Sequence, residues 1–471
     1  MFKGGTYRIH RLNNKMENQK SEGLKRELGI LDIVINVVNI TVASGIFLLP
    51  AIIAGILGNM SILAYILCGT MFMMIALCYA EVASRITASG GSYIYIEKAF
   101  GHYAGFLANT IFWLGTGIFV SAALINGIAD MLSVSFPIFT IPLYRALFFW
   151  VIFGFCCYIN ILGVKQGMAF IKIITVLKLA PLLLLVLAGF FILKTSNLAF
   201  GNFPPLKSIG AASLILFFTF AGGETALNIS GEMKNPNRTG PLGLLIGLTF
   251  TVVFFCLIQL VSQGVLGADL VNHKEAPLAA VAFSLFGSVG ASILIICAIM
   301  AIFGSFNSVI LLFPRVMFAG SKDGYLPAIL SRVHPKYATP HWAIIAFSFI
   351  GFIVSVSGGF KQLVVIATMS LLLLYMGVAL SLIKFRLTKK GNTPAASFKV
   401  PGGLIIPVAT IVIITWFLFQ SSSNEITGTG IFIAATSVIY LLRYLIAGRK
   451  LKPRLKEEQK IKTSIDSIKN L

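Results

Sequence analysis

Hydrophobic residues occur in long uninterrupted runs along this chain, and short polar segments separate the runs. Apolar stretches of about 20 residues recur along almost the whole length, and a helix of that length crosses the hydrocarbon core of a bilayer. The pattern therefore predicts an all-α membrane protein. Twelve transmembrane helices are predicted, at residues 29–56, 61–84, 104–132, 142–163, 168–193, 208–231, 239–264, 280–318, 340–358, 362–386, 403–422 and 428–447.

Composition supports this prediction and removes one competing class of function. The chain has 471 residues, of which 57% are hydrophobic and 11% charged, whereas a soluble protein of this length would need far more polar surface. The net charge of +21 would suit nucleic acid. The basic residues are scattered in short loops and two tails, however, and they form no face that alternates with aromatic residues. We therefore expect contact with lipid and none with nucleic acid.

The positive charges favour one side of the predicted spans. Of the 37 Lys and Arg residues, 31 fall on the side of the two termini, and Lys178 falls within a span. Because cytoplasmic loops carry an excess of Lys and Arg, both termini are predicted to be cytoplasmic, in an inner membrane of bacterial type. The opposite side receives Arg145, Lys194, Lys207, Lys274 and Lys361.

Two spans carry residues that would interrupt a helix near the middle of the membrane. In the first span Pro50 follows Gly45 by about a turn, and in the sixth span Gly222 and Gly223 precede Glu224. Glycine lowers the cost of leaving helical geometry, and proline removes a backbone donor. Interrupted spans at matching places in two five-span halves indicate an inverted-repeat transporter. The alternative is that these glycines only permit close helix packing.

The two interruptions divide the chain into predicted units. Two repeats of five helices are followed by two additional helices, and a tail lies at each end; the basic C-terminal tail is expected to touch anionic lipid headgroups. The units are an N-terminal tail at 1–27, a first repeat at 28–195, a second repeat at 196–386, two helices at 387–448 and a C-terminal tail at 449–471.

The interruptions suit the chemistry of an amino acid zwitterion, which needs donors for its carboxylate and acceptors for its ammonium group. The N–H groups of Ser44, Gly45 and Ile46 would be free at the start of the outer half-helix, with a positive dipole end behind them. Carbonyl groups around 218–221 would be free at the end of the other half-helix. We therefore predict that the substrate binds between these two segments.

Two ionisable residues are predicted to lie deep in the membrane, where such residues are usually functional. Glu224 is predicted to gate the site or take up a proton, and its alternative role is that of a hydrogen-bonded helix cap. Lys178, in the fifth span, is predicted to brace the interrupted first span against the eighth. Its alternative is snorkelling towards the inner surface, near Lys172.

Four motifs in order carry a resemblance to a known superfamily. The chain resembles the amino acid–polyamine–organocation superfamily over residues 25–445, and particularly its bacterial arginine/agmatine antiporters and its L-type amino acid transporters. Each motif is weak alone, and the four together at the expected spacing are specific. They are residues 44–50 (SGIFLLP), residues 90–93 (GGSY) with 99–101 (AFG), residues 222–224 (GGE) with 232–238 (EMKNPNR), and residues 323–327 (DGYLP).

The resemblance implies two inverted five-helix repeats plus two helices, and transport by alternating access. It places the substrate carboxylate at the first interruption, the amine at the second, gating groups beside them, and a lysine typical of sodium-independent relatives in the fifth span. The implied substrate-binding residues are Thr41, Ser44, Gly45, Ile46, Phe218, Ala221 and Gly222, and the implied gating or coupling residues are Phe218, Glu224 and Lys178.

Three positions depart from the superfamily pattern. Ala43 replaces the first glycine of a Gly-Ser-Gly run, Val309 replaces a tryptophan of arginine/agmatine antiporters, and Val120 replaces an asparagine. These differences argue against arginine and favour a neutral substrate of moderate size.

The sequence leaves several functions open. The leading prediction is a carrier of amino acids, working by exchange or by proton-coupled symport as a monomer or homodimer. The alternatives are a polyamine or amine permease of the same fold, a passive channel, which would need a polar pore lining, and an intramembrane enzyme, which would need convergent catalytic groups. No catalytic residue, metal site or cofactor is predicted, and the six cysteines are expected to be buried thiols.

Overall fold

The structure is a computed structural model, and it describes residues 26–86, 90–199, 201, 203–274, 276–357, 360–388, 396–419 and 423–447. Nearly all of the predicted tails at 1–27 and 449–471 therefore lie outside the described residues. The described part is helical, as predicted, and its one short β-bridge joins Leu28 to Met233.

The α-helices, numbered in chain order, follow the predicted spans closely. They are α1 (Ile30–Thr41), α2 (Ser44–Leu57), α3 (Ser61–Arg85), α4 (Ser92–Phe100), α5 (His102–Thr110), α6 (Phe119–Ser135), α7 (Pro142–Leu162), α8 (Val164–Ile192), α9 (Leu206–Phe220), α10 (Pro236–Leu266), α11 (Pro277–Lys322), α12 (His341–Ser357), α13 (Phe360–Leu387), α14 (Ile405–Phe419) and α15 (Ser423–Ala447).

Shorter helical segments connect several of these helices. A π-helical segment at Ile111–Ile118 joins α5 to α6 without a gap, and a 3₁₀ segment at Gly223–Glu232 continues the chain beyond α9. The remaining 3₁₀ segments are Gly58–Met60, Pro137–Thr140, Thr195–Leu198, Gly267–Asn272 and Ala328–Ser331.

Seven helical stretches in the described part are long and apolar enough to cross a membrane, by length and composition. Five shorter apolar helices accompany them. Outward-facing side chains of this bundle are often large and apolar, such as Phe191 at 91% exposure and Val176 at 66%, as a lipid environment allows. The seven are Gly45–Arg85, His102–Ser133, Pro142–Leu162, Val164–Ile192, Pro236–Asn272, Pro277–Lys322 and Ala367–Leu387, and the five are Ile30–Thr41, Leu206–Phe217, His341–Ser357, Ile405–Phe419 and Thr427–Arg443.

Three local features differ from the sequence prediction. The predicted eighth span, 280–318, is not one regular helix, because Gly287 has φ 68° and ψ −158° inside α11. The predicted third span, 104–132, contains the π-helical segment. The short helix α4 was not predicted as a helix. Glycine adopts φ 68° without the steric cost that other residues would have. The chain can therefore leave helical geometry at Gly287, and α11 bends there.

The interrupted helices lie at the centre of the bundle. Helix α1 packs against α8, α10 and α11, while α2 packs against α9 and α11. Helix α13 packs against the π-helical segment and α6. The two interruptions therefore share their surroundings with the third, eighth and tenth predicted spans.

Candidate substrate site

The first predicted interruption is present in the backbone. Helix α1 ends at Thr41 and α2 begins at Ser44, with Val42 (φ −76°, ψ 74°) and Ala43 (φ −112°, ψ −151°) outside helical geometry. The first N–H groups of a helix have no acceptor within it, and they carry the positive end of the helix dipole. The start of α2 thus offers donors to an anionic group.

The second predicted interruption is also present. Helix α9 ends at Phe220, Ala221 is extended with ψ 153°, and the 3₁₀ segment begins at Gly223. Gly222 between them has φ 103°, a value that favours glycine because a side chain would be strained there. The last carbonyl groups of α9 have no N–H donor within the helix. This end of α9 therefore offers hydrogen-bond acceptors to a cationic group.

The two interruptions meet through a close contact. A Cβ atom added to Gly45 would lie 2.3 Å from Thr219 Oγ1 and 2.7 Å from its Cγ2. Only a residue without a side chain therefore allows the start of α2 to lie this close to the end of α9. The predicted glycine has a structural reason that the sequence alone did not reveal.

A cavity of about 80 Å³ opens between the two interruptions. The predicted substrate residues Thr41, Gly45, Ala221 and Gly222 line it, and none of the described residues along its wall is charged. The cavity can therefore bind a small neutral molecule or a zwitterion through hydroxyl and backbone groups. Its walls consist of Ile40, Thr41, Ala43, Gly45, Thr116, Val120, Leu124, Thr219, Ala221, Gly222, Thr225, Ser305, Val309, Phe313 and Leu371.

Three predicted substrate residues, Ile46, Ser44 and Phe218, remain to be considered. The Ile46 side chain is fully buried in the hydrophobic core, so only its backbone belongs to the prediction. The side chains of Ser44 and Phe218 lie outside the described part of the structure. Their predicted roles, a hydroxyl donor and a gating aromatic ring, stay predictions.

Sequence reasoning missed most of the wall that the third, eighth and tenth predicted spans contribute. Val120 and Val309 had been identified only as departures from a family pattern, and both line the cavity. A signal for the third span existed in Gly115-Thr116-Gly117, where small residues surround a polar one in an apolar run. The missed lining residues are Ile40, Thr116, Leu124, Thr219, Thr225, Ser305, Phe313 and Leu371.

Lys178 holds the end of α1 and does not reach the cavity. Its Nζ donates to the Asn39 carbonyl at 2.6 Å and to the Val42 carbonyl at 2.7 Å, and the side chain is fully buried. Ser305 of α11 donates to the same Asn39 carbonyl at 2.9 Å. Carbonyls at a helix end need outside donors, and Lys178 supplies them. Snorkelling would require an exposed ammonium, which the structure does not have.

Glu224 lies one residue beyond the second interruption and is 2% exposed. Its Oε2 accepts from the Gly222 N–H at 3.1 Å, and the Tyr375 hydroxyl lies 3.4 Å from the same nitrogen. Its Oε1 has no partner in the described part of the chain. Glu224 does not line the cavity, but it fixes Gly222, which does. This contact is the one expected of the capping alternative.

A second connection joins the far ends of the interrupted helices. The Glu232 carbonyl accepts from the N–H groups of Glu27 at 2.9 Å and Leu28 at 3.0 Å, and Lys234 N donates to the Leu28 carbonyl at 2.9 Å. Arg315 of α11 binds the Glu232 side chain, Nε to Oε1, at 2.8 Å, with both side chains at most 2% exposed. This set of contacts is called the Glu232 latch below.

Arg315 lies in the predicted eighth span and is one of the 31 basic residues on the predicted cytoplasmic side. The structure instead buries its side chain completely. Its Nη1 also donates to the Leu311 carbonyl, so the guanidinium group is bound on two sides. Buried charges persist where they are paired and hydrogen-bonded.

The described residues contain no group of three His, Cys, Asp or Glu side chains placed to hold a metal ion. All six cysteines are unpaired thiols, four of them buried: Cys68, Cys78, Cys156 and Cys297.

Several known proteins are similar to this chain over most of its length. The family profile described as "Amino acid permease" matches residues 28–442. A serine/threonine exchanger of Bacillus subtilis (strain 168) is 28% identical over 432 residues, which cover 87% of this chain and 93% of that protein. A methylthioribose transporter of the same strain is 27% identical over 458 residues, 93% of this chain and 97% of that protein. A branched-chain amino acid permease of that strain is 25% identical over 466 residues, 94% and 98% of the two chains.

Proposed function

This chain belongs to the amino acid permease family, and we propose that it is a secondary active transporter that moves amino acids across the membrane by alternating access. The family and the apolar helices make it an integral multi-pass membrane protein. The observation that carries the proposal is the meeting of two helix interruptions at one uncharged cavity. In the proposed complex, donors at Ser44, Gly45 and Ile46 bind the substrate carboxylate, while carbonyls at the end of α9 accept from its ammonium group.

The proposed architecture is twelve spans in two inverted repeats of five, followed by two helices. Interrupted helices five spans apart support it, as does the match of helix bounds to the predicted spans. In this architecture the interruptions lie near the midplane, and both termini are on the cytoplasmic side of an inner membrane.

The cavity supports an amino acid as substrate in preference to a polyamine. A polyamine carries several positive charges, and a site for it would need carboxylates in the wall, whereas none of the described lining residues is acidic. Two of the relatives are named as a serine/threonine exchanger and a branched-chain amino acid permease.

Lys178 supports transport that is independent of sodium. Its ammonium group occupies the space between the end of α1, α8 and α11 and uses the carbonyls of Asn39 and Val42. A monovalent cation binds through just such oxygen atoms at broken helices. With a fixed ammonium in place, the coupling partner is a second amino acid or a proton.

Counterflow in proteoliposomes tests the proposal. Purified protein is reconstituted into vesicles loaded with one unlabelled amino acid, and uptake of labelled amino acid is followed without sodium. A panel of common amino acids and their decarboxylation products competes against the label. We expect saturable counterflow and competition by neutral amino acids. Flux that is linear in concentration and shows no counterflow would indicate a channel, and competition by amines alone would indicate an amine permease.

The contact between Gly45 and Thr219 provides the matched variant for this assay. Gly45→Ala places a methyl group where Thr219 Oγ1 lies, so we expect counterflow to be lost while the protein remains folded. Gly154→Ala is the control, because no heavy atom lies within 4 Å of its added Cβ. Normal counterflow by Gly45→Ala would contradict the proposed carboxylate site.

A further inference from the structure

Five residues along the cavity wall carry hydroxyl groups, and three of these groups are already engaged. Thr41 Oγ1 donates to the Val37 carbonyl at 2.8 Å. Thr225 Oγ1 donates to the Gly222 carbonyl at 2.5 Å, and Ser305 Oγ donates to the Asn39 carbonyl at 2.9 Å. These three hydroxyls stabilise the interrupted backbone, so their protons are not free for a ligand.

The other two hydroxyls, those of Thr116 and Thr219, have no partner in the described part of the structure. Both residues are buried, with exposures of 3% and 6%, and both line the cavity. Buried hydroxyl groups are nearly always hydrogen-bonded, because an unsatisfied one loses its interaction with water and gains nothing. A ligand in the cavity is the group that can satisfy them.

The two free hydroxyls lie at chemically different parts of the cavity. Thr219 Oγ1 lies against Gly45, at the start of α2, where the N–H groups point towards the proposed carboxylate. It can therefore donate a further hydrogen bond to that carboxylate. Every amino acid carries this group, so Thr219 adds affinity without distinguishing side chains.

Thr116 belongs to the π-helical segment of the third predicted span, which is neither of the two interrupted segments. Added Cβ atoms at its neighbours would lie 2.4 Å from Ser370 Oγ (Gly115) and 2.4 Å from Phe313 Cδ1 (Gly117). The segment is thus held tightly against α13 and α11, which fixes the place of the Thr116 hydroxyl. Short π-helical segments are frequent at functional sites.

We propose that Thr116 recognises a hydroxyl group on the side chain of the substrate, so that the cavity selects small hydroxyl-bearing amino acids over apolar ones of equal size. The inference rests on the proposed transport function and names its substrate class. The cavity that Thr116 lines also has the apolar residues Val120, Val309 and Leu371 in its wall, and its volume of about 80 Å³ suits a small substrate. A site with a buried hydrogen-bonding group rejects an analogue that leaves this group unpaired.

Isosteric pairs of amino acids test the inference in the counterflow assay. Threonine and valine have nearly the same shape and differ by one hydroxyl, and serine and alanine form a second pair. For the wild-type protein we expect threonine to compete at concentrations about tenfold lower than valine. Equal competition by the members of both pairs, with counterflow intact, would overturn the inference and leave the proposed function standing. Absence of all amino acid counterflow would overturn both.

Variants of the lining threonines identify the residue responsible. We expect Thr116→Val to bring the threonine-to-valine preference close to one while valine still competes, and Thr116→Ser to keep the preference. Thr219→Val should weaken competition by threonine and valine by the same factor. Thr436→Val is the matched control, since Thr436 is buried outside the cavity and its hydroxyl donates to the Phe432 carbonyl, and the preference should stay. A preference that survives Thr116→Val would refute the role of Thr116, and valine competition in that variant shows that it has folded.

Discussion

At the scale of single residues, a buried lysine supplies the donors that the end of α1 lacks. Lys178 gives two hydrogen bonds to the carbonyls of Asn39 and Val42, and it has no exposed surface. A buried carbonyl group cannot hydrogen-bond to water, so its donor must come from the protein. The lysine is therefore part of the first interruption, although it lies 136 residues further along the chain than Val42.

Replacing Lys178 with alanine should destabilise the protein and impair transport. The change leaves two buried carbonyls without donors, at a cost of about 1–3 kcal/mol for each. The thermal unfolding midpoint of the purified protein and its counterflow rate measure the two effects. The control is Lys172→Ala on the same helix, where the ammonium is 45% exposed and pairs with Asp32, and where we expect little change. Wild-type stability and kinetics in Lys178→Ala would show that these bonds are dispensable.

Replacing Glu224 with glutamine separates its charge from its shape. Glutamine retains an oxygen that can accept from the Gly222 N–H. It cannot take up a proton at any pH used in the transport assay. We expect an unchanged unfolding midpoint and a counterflow rate that is slower or has lost its dependence on pH. Asp269→Asn, at a half-exposed carboxylate outside the cavity, is the control. A wild-type pH profile in Glu224→Gln would leave Glu224 with a capping role alone.

At the scale of secondary structure elements, the Glu232 latch joins the start of α1 to the end of the 3₁₀ segment after α9, and Arg315 attaches both to α11. Three backbone hydrogen bonds and one buried ion pair make these segments a single unit. The proposed alternating access would require α1 and the 3₁₀ segment after α9 to move. Because they are joined, we infer that they move together.

Removing one partner of the buried ion pair should be more damaging than removing both. Glu232→Gln leaves the Arg315 guanidinium buried without a counter-charge, which costs about 3–5 kcal/mol. The double variant Glu232→Gln with Arg315→Met should recover part of that loss, since no charge remains. The thermal unfolding midpoints of the single and double variants measure the loss of stability and its partial recovery. The control is Lys165→Ala in the exposed Lys165–Glu27 pair. A double variant less stable than either single variant would contradict the expectation.

At the scale of the whole molecule, the distribution of Lys and Arg predicts that both termini lie in the cytoplasm. A tag at either end should react with a membrane-impermeant reagent only after the cells are permeabilised. Single cysteines provide controls: Lys274→Cys, on the predicted outer side, should react in intact cells, and Lys322→Cys should not. Termini that react on opposite sides would mean an odd number of spans and would remove the proposed inverted repeat.

The sequence predicted an all-helical membrane protein, because this fold class depends on local composition. Apolar runs mark helices in a bilayer, and Gly45 with Pro50 and Gly222 with Gly223 marked both interruptions. The π-helical segment and Gly287 were not predicted, because a bend of this kind depends on which neighbours press against the helix. Arg315 was misjudged for the same reason: its partner Glu232 lies 83 residues away, and no spacing rule joins them.

The sequence indicated the part of the candidate site that lies at the two helix interruptions. It did not indicate the side chains that other helices contribute to the cavity wall. Thr41, Gly45, Ala221 and Gly222 line the cavity, and their binding of a substrate stays a prediction. Ser305 could not be predicted, because its place in the wall depends on how α11 packs around the interruptions. The glycines beside Thr116 are a sequence signal, but they do not indicate that the π-helical segment turns this residue towards the cavity.

An uncharged wall has an electrical consequence. None of the described residues that line the cavity carries a charge, and a neutral amino acid is a zwitterion without net charge. If one such molecule is exchanged for another, nothing charged crosses the bilayer, so a voltage that would add about 2.3 kcal/mol per charge for each 100 mV does no work on the cycle. Counterflow under an imposed potassium diffusion potential should therefore keep its rate, whereas symport with a proton would speed up as the interior becomes more negative.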